Sequence, residues 1–293
     1  MNLEPETVFK TDAEVGEGPV WDKDLNVLYW VDIEKKQVHA LDPATHADRV
    51  WELGQRVGCA VLRKKGGLVL AMENGFFLFN TKTGDVTPLV DPEADLPENR
   101  FNDGKVDAAG RFWAGTMNIK GPRRPEGSLY CLEKDLSVRR VIKDATVPNG
   151  LDWSPDTKTF YFIDTPTRRV LAYEFDVETG RLGKPRVAFD LSAERGRPDG
   201  MCIDAEGMLW VAKWGGWGLD CWNPETGKRL LTVPFPVANV TSCAFGGKNY
   251  NELFVTTANS GLNAEELKAQ PLAGSVFRLR PEVGGLPPHY YEG

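Results

Sequence analysis

The strongest constraint on the fold is a unit that recurs six times along the chain. Its clearest copy, residues 198–214, has a polar residue and a glycine, a short apolar strand, an Asp-Ala-Glu-Gly turn and the apolar strand Leu-Trp-Val-Ala. The copies begin 40 to 50 residues apart, at residues 17, 57, 103, 149, 199 and 241. That period is typical of a blade of four antiparallel strands. The sequence therefore predicts an all-β fold, a six-bladed β-propeller, with residues 1–293 forming a single domain.

The two ends of the chain indicate how the ring closes. The sixth copy has no obvious fourth strand after its third, residues 274–279, because Arg280-Pro281 follows directly. The first copy is preceded by a spare apolar stretch, residues 7–10. We therefore expect the N-terminal strand to complete the sixth blade, which leaves no exposed sheet edge at the junction. Residues 264–268 are expected to form one turn of helix.

The residues that start the six copies are the candidate functional residues. In a propeller the first strand of each blade lines the central channel, so these residues should meet at one mouth of it: Glu17, Val57, Asp103, Asn149, Asp199 and Thr241. Three carboxylates gathered at one point repel one another, and a bound cation would offset that repulsion. Oxygen ligands favour calcium, magnesium or manganese over thiophilic metals. The alternative is that these side chains face water in the channel or cap turns.

Charge and cysteine content narrow the function classes. The net charge of -7 argues against a nucleic-acid partner. No apolar run reaches roughly 18 residues, so we expect no membrane span, and residues 1–6 lack the pattern of a secretory signal.

Cys59, Cys202 and Cys243 lie in apolar strand patterns, and no Cys-x-x-Cys pair occurs. Free buried thiols are expected in a reducing compartment, which favours a cytoplasmic location.

Classical catalytic motifs do not occur. The three histidines, His39, His46 and His289, fall outside the six ring positions, so we expect no Ser-His-Asp or Cys-His arrangement. No nucleophile elbow, P-loop or dinucleotide fingerprint is present. Arg100 and Asn102 lie next to Asp103, where their side chains could donate hydrogen bonds to a polar ligand beside the cation.

Six motifs spread along the chain carry a family resemblance. They are Glu17–Trp21, Asn99–Lys105, Gly115–Met117, Asn149–Trp153, Pro198–Asp204, and Thr241–Cys243 followed by Phe245–Tyr250. Together they resemble the regucalcin/gluconolactonase family of sugar-lactone hydrolases nearly from end to end. The resemblance implies a six-bladed propeller that holds one divalent cation.

The resemblance also implies roles for individual residues. The cation ligands would be the residues matching Glu17, Asn149 and Asp199, and the residues matching Arg100 and Asn102 would contact a small-molecule sugar lactone. One position departs from the family pattern, since many relatives carry an acidic residue near Lys120 that binds sugar hydroxyls. A lysine there favours an anionic or differently hydroxylated substrate, or else points to solvent.

These implications lead to a functional hypothesis, divalent-metal-dependent hydrolysis of aldono-1,4- and 1,5-lactones of the gluconolactone type to sugar acids. Asp199 is the expected general base as well as a ligand, and Asp103 is expected to orient the water. Calcium is the favoured cation, with zinc, manganese, magnesium and ferrous iron as alternatives. Two other functions stay open, phosphotriester hydrolysis and a non-catalytic calcium-binding regulatory role.

Overall fold

A computed structural model describes residues 3–120 and 123–293. Met1 and Asn2, which belong to the segment inspected for a secretory signal, lie outside the described residues. Nearly all of the regular secondary structure in the described chain is strand, arranged as six four-stranded sheets. This confirms the predicted six-bladed β-propeller. Its helical elements are the short helix α1 (Ala264–Ala269) and the 3-10 turn Thr165–Thr167.

The first three blades each contain four consecutive strands that follow one another from the channel outwards. Blade 1 contains β2 (Gly16–Asp22), β3 (Val27–Asp32), β4 (Gln37–Asp42) and β5 (Ala47–Glu52). Blade 2 contains β6 (Val57–Leu62), β7 (Leu68–Met72), β8 (Gly75–Phe79) and β9 (Val86–Val90). Blade 3 contains β10 (Asn99–Val106), β11 (Phe112–Asn118), β12 (Gly127–Leu132) and β13 (Val138–Ala145).

The remaining blades complete the ring. Blade 4 contains β14 (Pro148–Trp153), β15 (Thr159–Asp164), β16 (Arg169–Asp176) and β17 (Arg181–Asp190). Blade 5 contains β18 (Arg197–Ile203), β19 (Leu209–Trp214), β20 (Gly218–Asn223) and β21 (Lys228–Pro234). Blade 6 contains β22 (Asn239–Gly246), β23 (Glu252–Ala258), β24 (Val276–Leu279) and, as its outer strand, β1 (Glu6–Phe9).

The N-terminal strand closes the ring as predicted. Strand β1 pairs antiparallel with β24, with Thr7 opposite Phe277. Arg278 also binds Glu6 across this junction, at 3.0 Å. Both ends of the chain therefore contribute to one sheet, and the edge of β24 is covered rather than exposed.

A short motif sets the turn between the first two strands in blades 3 and 5. Both blades read Asp-x-x-Gly-x-x-Trp, starting at Asp107 and at Asp204. In blade 3 one carboxylate oxygen of Asp107 accepts two backbone N–H groups of the turn, and the other accepts the indole N–H of Trp113 at 2.9 Å. In blade 5 Asp204 does the same with Trp210 at 3.0 Å. The buried carboxylate thus satisfies turn and indole donors that would otherwise lack partners.

The core lies between adjacent blades, because each blade buries both of its faces. Strand β7 is buried along its whole length, whereas the outer strand β5 is mostly exposed. Between blades 3 and 4 the ring of Phe160 packs 5.4 Å from Trp113 and 5.1 Å from Trp153, centroid to centroid. Burial on both faces explains why the middle strands are continuous apolar runs rather than alternating patterns.

The inner strands approach so closely that glycine is required beside the ring positions. A Cβ atom on Gly58 would lie 2.4 Å from the carbonyl oxygen of Asn102 in the next blade. A Cβ atom on Gly150 would lie 2.8 Å from the carbonyl oxygen of Asp199. These distances are shorter than van der Waals contact, so a side chain there would push neighbouring blades apart.

The C-terminal segment crosses the channel at the end opposite to the candidate site. Gly285 pairs with Asp204 in blade 5, and further along the backbone N–H of Tyr291 donates to Leu62 in blade 2. The Tyr291 side chain is fully buried, and its hydroxyl donates to the carbonyl of Glu133 in blade 3 at 2.8 Å. The segment therefore ties blade 5 to blades 2 and 3, which the repeat pattern did not predict.

Replacing the buried aromatic ring of this segment should destabilise the propeller. We expect Tyr291→Ala to lower the free energy of unfolding by about 3 kcal/mol, because a large apolar side chain and its hydrogen bond are lost. Urea denaturation followed by tryptophan fluorescence measures the effect. Leu286→Ala is the matched control, since Leu286 is 43% exposed in the same segment and should change stability by under about 0.5 kcal/mol. Equal effects of the two substitutions would contradict a stabilising role for the buried Tyr291 ring.

Candidate functional site

The predicted ring positions lie on neighbouring inner strands. Glu17 is on β2, Asp103 on β10, Asn149 on β14 and Asp199 on β18, and each inner strand contacts the next around the channel. All four side chains are buried, with 4–9% of each residue exposed. The two remaining ring positions, occupied by valine and threonine, are also buried. The structure thus places the predicted polar residues within one buried belt of inner strands.

A chain of hydrogen bonds fixes the amide of Asn149. Its Oδ1 accepts from Asn102 Nδ2 at 3.0 Å, and its Nδ2 donates to Thr165 Oγ1 at 2.8 Å. The Thr165 hydroxyl then donates to the carbonyl of Pro198 at 2.8 Å, directly before Asp199. This chain links blades 3, 4 and 5 and holds the amide in one orientation. Because an amide oxygen has two lone pairs, Oδ1 keeps one for a ligand.

The carboxylates at the mouth carry strongly perturbed pKa values. Burial raises the pKa of Glu17 well above its usual range, and the charges of Asp199 and Asp103 raise it further. Burial also raises the pKa of Asp199, again reinforced by Asp103 and only partly opposed by a hydrogen bond from Asn149. Burial raises the pKa of Asp103 to about 6, although Lys105 opposes the shift. Full ionisation of these groups is therefore unfavourable without added positive charge.

This donor set fits a divalent cation by its chemistry. Buried carboxylates that repel one another, together with a held amide oxygen, are the hard ligands that such cations take. Within residues 3–120 and 123–293, however, no group of three or more His, Cys, Asp or Glu side chains has the spacing of a metal cluster. The carboxylates are nevertheless near enough for the charges of Asp103 and Asp199 to raise the pKa of Glu17. The assignment of ligands accordingly stays a proposal.

Arg100 presents a buried, incompletely bonded guanidinium group beside these carboxylates. Its NH1 donates to Asn102 Oδ1 and to the carbonyl of Phe101, both at 2.8 Å. Its Nε is buried and has no hydrogen-bond partner among the described residues. Burial lowers the pKa of Arg100 to about 10, so it remains protonated at neutral pH. A buried donor without a partner is costly, and a polar ligand would satisfy it.

Lys120 lies farther out, at the rim. Its ammonium group pairs with Glu98 at 2.5 Å, and the two side chains are 68% and 47% exposed. The sequence left open whether Lys120 contacts the substrate or points to solvent, and here it faces solvent beside a carboxylate. The structure therefore separates Lys120 from the buried set that includes Arg100 and Asn102.

Two further polar groups support the mouth, and the repeat pattern did not predict them. Arg56, the residue before β6, binds Glu34 at 2.8 Å and Glu73 at 3.3 Å, so it links the rims of blades 1 and 2. Glu93 is buried and accepts from Asn99 Nδ2 and from the hydroxyl of Tyr130, both at 2.9 Å. Since Asn99 directly precedes Arg100, Glu93 anchors the start of the strand that presents the guanidinium. The repeat pattern gave no signal for Glu93, because this residue lies in the loop between β9 and β10.

Fold and site together define a class, a six-bladed β-propeller with a belt of buried carboxylates around its channel. The model of the family described as SMP-30/Gluconolactonase/LRE-like region matches residues 15–259, so the chain belongs to that family. It is 43% identical over 293 residues to regucalcin of Gallus gallus and 41% identical over 297 residues to regucalcin of Homo sapiens. These matches cover 98% of this chain and 98% of the chicken protein, and 100% of this chain and 99% of the human protein.

A solved structure shares the whole fold. It is that of regucalcin from Agrobacterium tumefaciens, described as a calcium-binding protein, with 31% identity and a TM-score of 0.95 over 100% of this chain and 99% of that one. The family resemblance read from the sequence motifs is therefore confirmed.

The pKa of Asp103 leads to a prediction about stability in the absence of a cation. Between its ordinary value of 3.8 and about 6 the folded state binds more protons than the unfolded state, so stability falls as the pH rises. In a chelating buffer, the free energy of unfolding of Asp103→Asn should therefore rise by about 3 kcal/mol relative to that of the unsubstituted protein as the pH goes from 4 to 7. Urea denaturation at a series of pH values measures this difference.

Asp42→Asn provides the control of opposite sign. A hydrogen bond from Thr45 lowers the pKa of the half-buried Asp42, so the contribution of Asp42 to stability is lost as the pH falls through the lowered value. Asp42→Asn should therefore lose stability at neutral pH, where Asp103→Asn gains it. Parallel pH curves for Asp103→Asn and the unsubstituted protein would show that Asp103 carries no buried charge.

Proposed function

We propose that this protein is a divalent-metal-dependent lactonase that hydrolyses aldono-1,4- and 1,5-lactones of the gluconolactone type to the corresponding sugar acids. The observation that carries the proposal is the buried belt of carboxylates beside the unpartnered Nε of Arg100. Membership of a family whose description includes gluconolactonase supports the same activity. The proposal includes a sugar lactone as the small-molecule partner. The cytoplasmic location remains a prediction.

The cation would be held by Glu17, Asn149 and Asp199, as expected from the sequence. A divalent cation bound there would supply positive charge that stabilises the negative oxygen formed when a lactone carbonyl is attacked. Calcium remains our preferred cation, with zinc, manganese, magnesium and ferrous iron as alternatives, because oxygen ligands alone do not select among them. The regucalcin names and the calcium-binding description of the bacterial relative support a divalent cation without fixing its identity for this chain.

Asp199 is the proposed general base. Its burial makes its carboxylate more basic than an exposed one, which favours uptake of a proton from an attacking water. The water oxygen bonds to the lactone carbonyl carbon while Asp199 takes the proton. The bond from that carbon to the ring oxygen then breaks, and the proton passes to the departing oxygen. Asp103 would orient the water.

Arg100 and Asn102 are the proposed substrate contacts. Asn102 already bonds the Asn149 amide, and Arg100 bonds Asn102, so a sugar hydroxyl that accepts from the Arg100 Nε would be positioned relative to the same network. Lys120 would act at the rim with Glu98, where the pair could contact the outer hydroxyls of a bound sugar. Arg100 and Asn102 would therefore orient the bound sugar, and the exposed Lys120 would contribute less to binding.

A non-catalytic calcium-binding role is the second candidate. The names of the relatives favour it, because they describe regucalcin and a calcium-binding protein. The same acidic belt would serve either function, so binding alone does not separate them. Calcium binding without hydrolysis of any lactone in a broad panel would support the regulatory role. A paraoxon-type ester in the same panel tests phosphotriester hydrolysis.

Asp199→Asn tests the proposed base and ligand. This substitution keeps the shape of the side chain but removes its charge, so we expect kcat/KM for the best lactone to fall at least about 100-fold. Cation retention after desalting should fall as well, because one negative ligand is lost. Acid release in a pH-stat measures turnover, after chelation and re-addition of each metal, and elemental analysis measures retention.

Asp135→Asn is the matched control, since Asp135 lies exposed in an outer turn of blade 3. It should leave turnover and retention unchanged. An Asp199→Asn variant that keeps full lactonase activity with the cation bound would refute the role of Asp199.

A comparison of Arg100→Ala with Lys120→Ala tests the two substrate assignments. A buried hydrogen bond from a charged donor contributes about 1.5–3 kcal/mol, so we expect Arg100→Ala to raise KM by roughly 10- to 100-fold. An exposed ion pair contributes at most about 1 kcal/mol, so Lys120→Ala should change KM by less than roughly 5-fold. Steady-state kinetics on the best lactone measures both. A larger effect at Lys120 than at Arg100 would reverse the assignment.

A further inference from the structure

Two cysteine side chains meet across the junction between blades 5 and 6. Cys202 on β18 and Cys243 on β22 place their sulfur atoms 3.3 Å apart. Both residues are buried, at 5% and 2% exposure, and both are free thiols. A disulfide needs a sulfur–sulfur separation of about 2.05 Å, so the two atoms need to move together by only about 1.2 Å. Small rotations of the two side chains on neighbouring inner strands can supply such a movement.

The backbones at this junction are already close. Gly200 lies two residues before Cys202, and Ser242 directly precedes Cys243. A Cβ atom on Gly200 would lie 2.2 Å from the Ser242 hydroxyl, so the two strands are in tight contact next to the cysteines. The thiol of Cys243 is also held in place, since it donates to the carbonyl of Trp210 at 3.4 Å. The thiols are therefore presented to each other by rigid strands rather than by loops.

A cavity beside the pair can hold a small oxidant. A cavity of about 360 Å³ lies between the inner strands and the C-terminal residues 286–289, and Cys202 and Cys243 both line it. Lys105 lines the same cavity and donates to the carbonyl of Met201 at 3.1 Å, next to Cys202. Lys105 also pairs with Asp152 at 2.7 Å, so its charge favours the Cys202 thiolate while the charge of Asp152 opposes it.

We propose that Cys202 and Cys243 are a modification site, at which hydrogen peroxide oxidises the two thiols to a disulfide that links the inner strands of blades 5 and 6. The Cys202 thiolate attacks one peroxide oxygen, the O–O bond breaks, and the released hydroxide takes up a proton to give one water. The Cys243 sulfur then attacks the sulfenic sulfur of Cys202, the S–O bond breaks, and the second water leaves with the Cys243 proton. Two thiols lose two protons and two electrons, and one hydrogen peroxide takes them up to become two waters.

Burial sets the rate of this reaction. It raises the pKa of Cys202 well above the usual range for a thiol, although Lys105 acts in the opposite direction. The thiolate is therefore scarce at neutral pH, and the disulfide forms under sustained exposure rather than as a rapid response. The cross-link closes a loop between two inner strands and restricts the unfolded chain, which stabilises the folded protein.

Mass spectrometry of the full-length protein tests the proposal. The reduced protein is treated with hydrogen peroxide under native conditions, unfolded, and alkylated with N-ethylmaleimide. We expect a mass lower by about 2 Da before alkylation and three alkylated cysteines instead of the five present in the reduced chain. Non-reducing peptide mapping should identify the link as Cys202–Cys243, and dithiothreitol should restore all five thiols. The oxidised protein should unfold at a midpoint roughly 5 °C higher or more.

Single substitutions separate this pair from the other thiols. Cys202→Ser and Cys243→Ser should each abolish the cross-link, whereas Cys59→Ser, at another buried inner-strand position, should leave it unchanged. Five alkylated thiols after peroxide treatment would overturn the proposal. A link to Cys221 would also overturn it, as would sulfinic acid at Cys202 without a link. None of these results depends on lactonase activity.

Discussion

The close approach of the six inner strands is the constraint on which the rest of this structure depends. At Gly58 and Gly150 there is no room for a side chain between neighbouring blades. This close packing excludes water from the inner strands, and Asp199 and the other carboxylates of the belt are buried there. Desolvation is the largest cause of their raised pKa values, ahead of mutual repulsion. The geometry that makes the propeller compact thus creates a need for positive charge at its axis.

The outer parts of the molecule keep this arrangement in place. Strand β1 covers the edge of blade 6, and the C-terminal segment buries Tyr291 against blades 2 and 3. Closure at both ends makes the spacing of the inner strands a property of the whole ring, since separating any two blades disturbs the others. The hydrogen bonds through Thr165 act locally in the same direction, because they fix Asn149 relative to the strand of Asp199.

The fold could be read from the sequence because it rests on repetition. A motif such as that of Asp107 and Trp113 recurs with the same spacing, and each copy carries its own turn and strand signals. The ring positions followed from the phase of the repeat. Contacts that occur only once could not be predicted, since no periodic pattern marks them. Examples are the hydrogen bond of Glu93 to Asn99 and the ion pair of Arg56 with Glu34. That residues 1–293 form a single domain stays a prediction.

The most direct test of the central claim is a crystal structure of the protein grown with calcium or manganese, in which anomalous scattering locates the ion. We predict one strong peak on the channel axis, within ligand distance of oxygen atoms from Glu17, Asn149 and Asp199. Small movements of these side chains toward the ion should accompany it. A peak elsewhere on the molecule, or no peak at the axis with the ion present in excess, would contradict a cation site built by the inner strands.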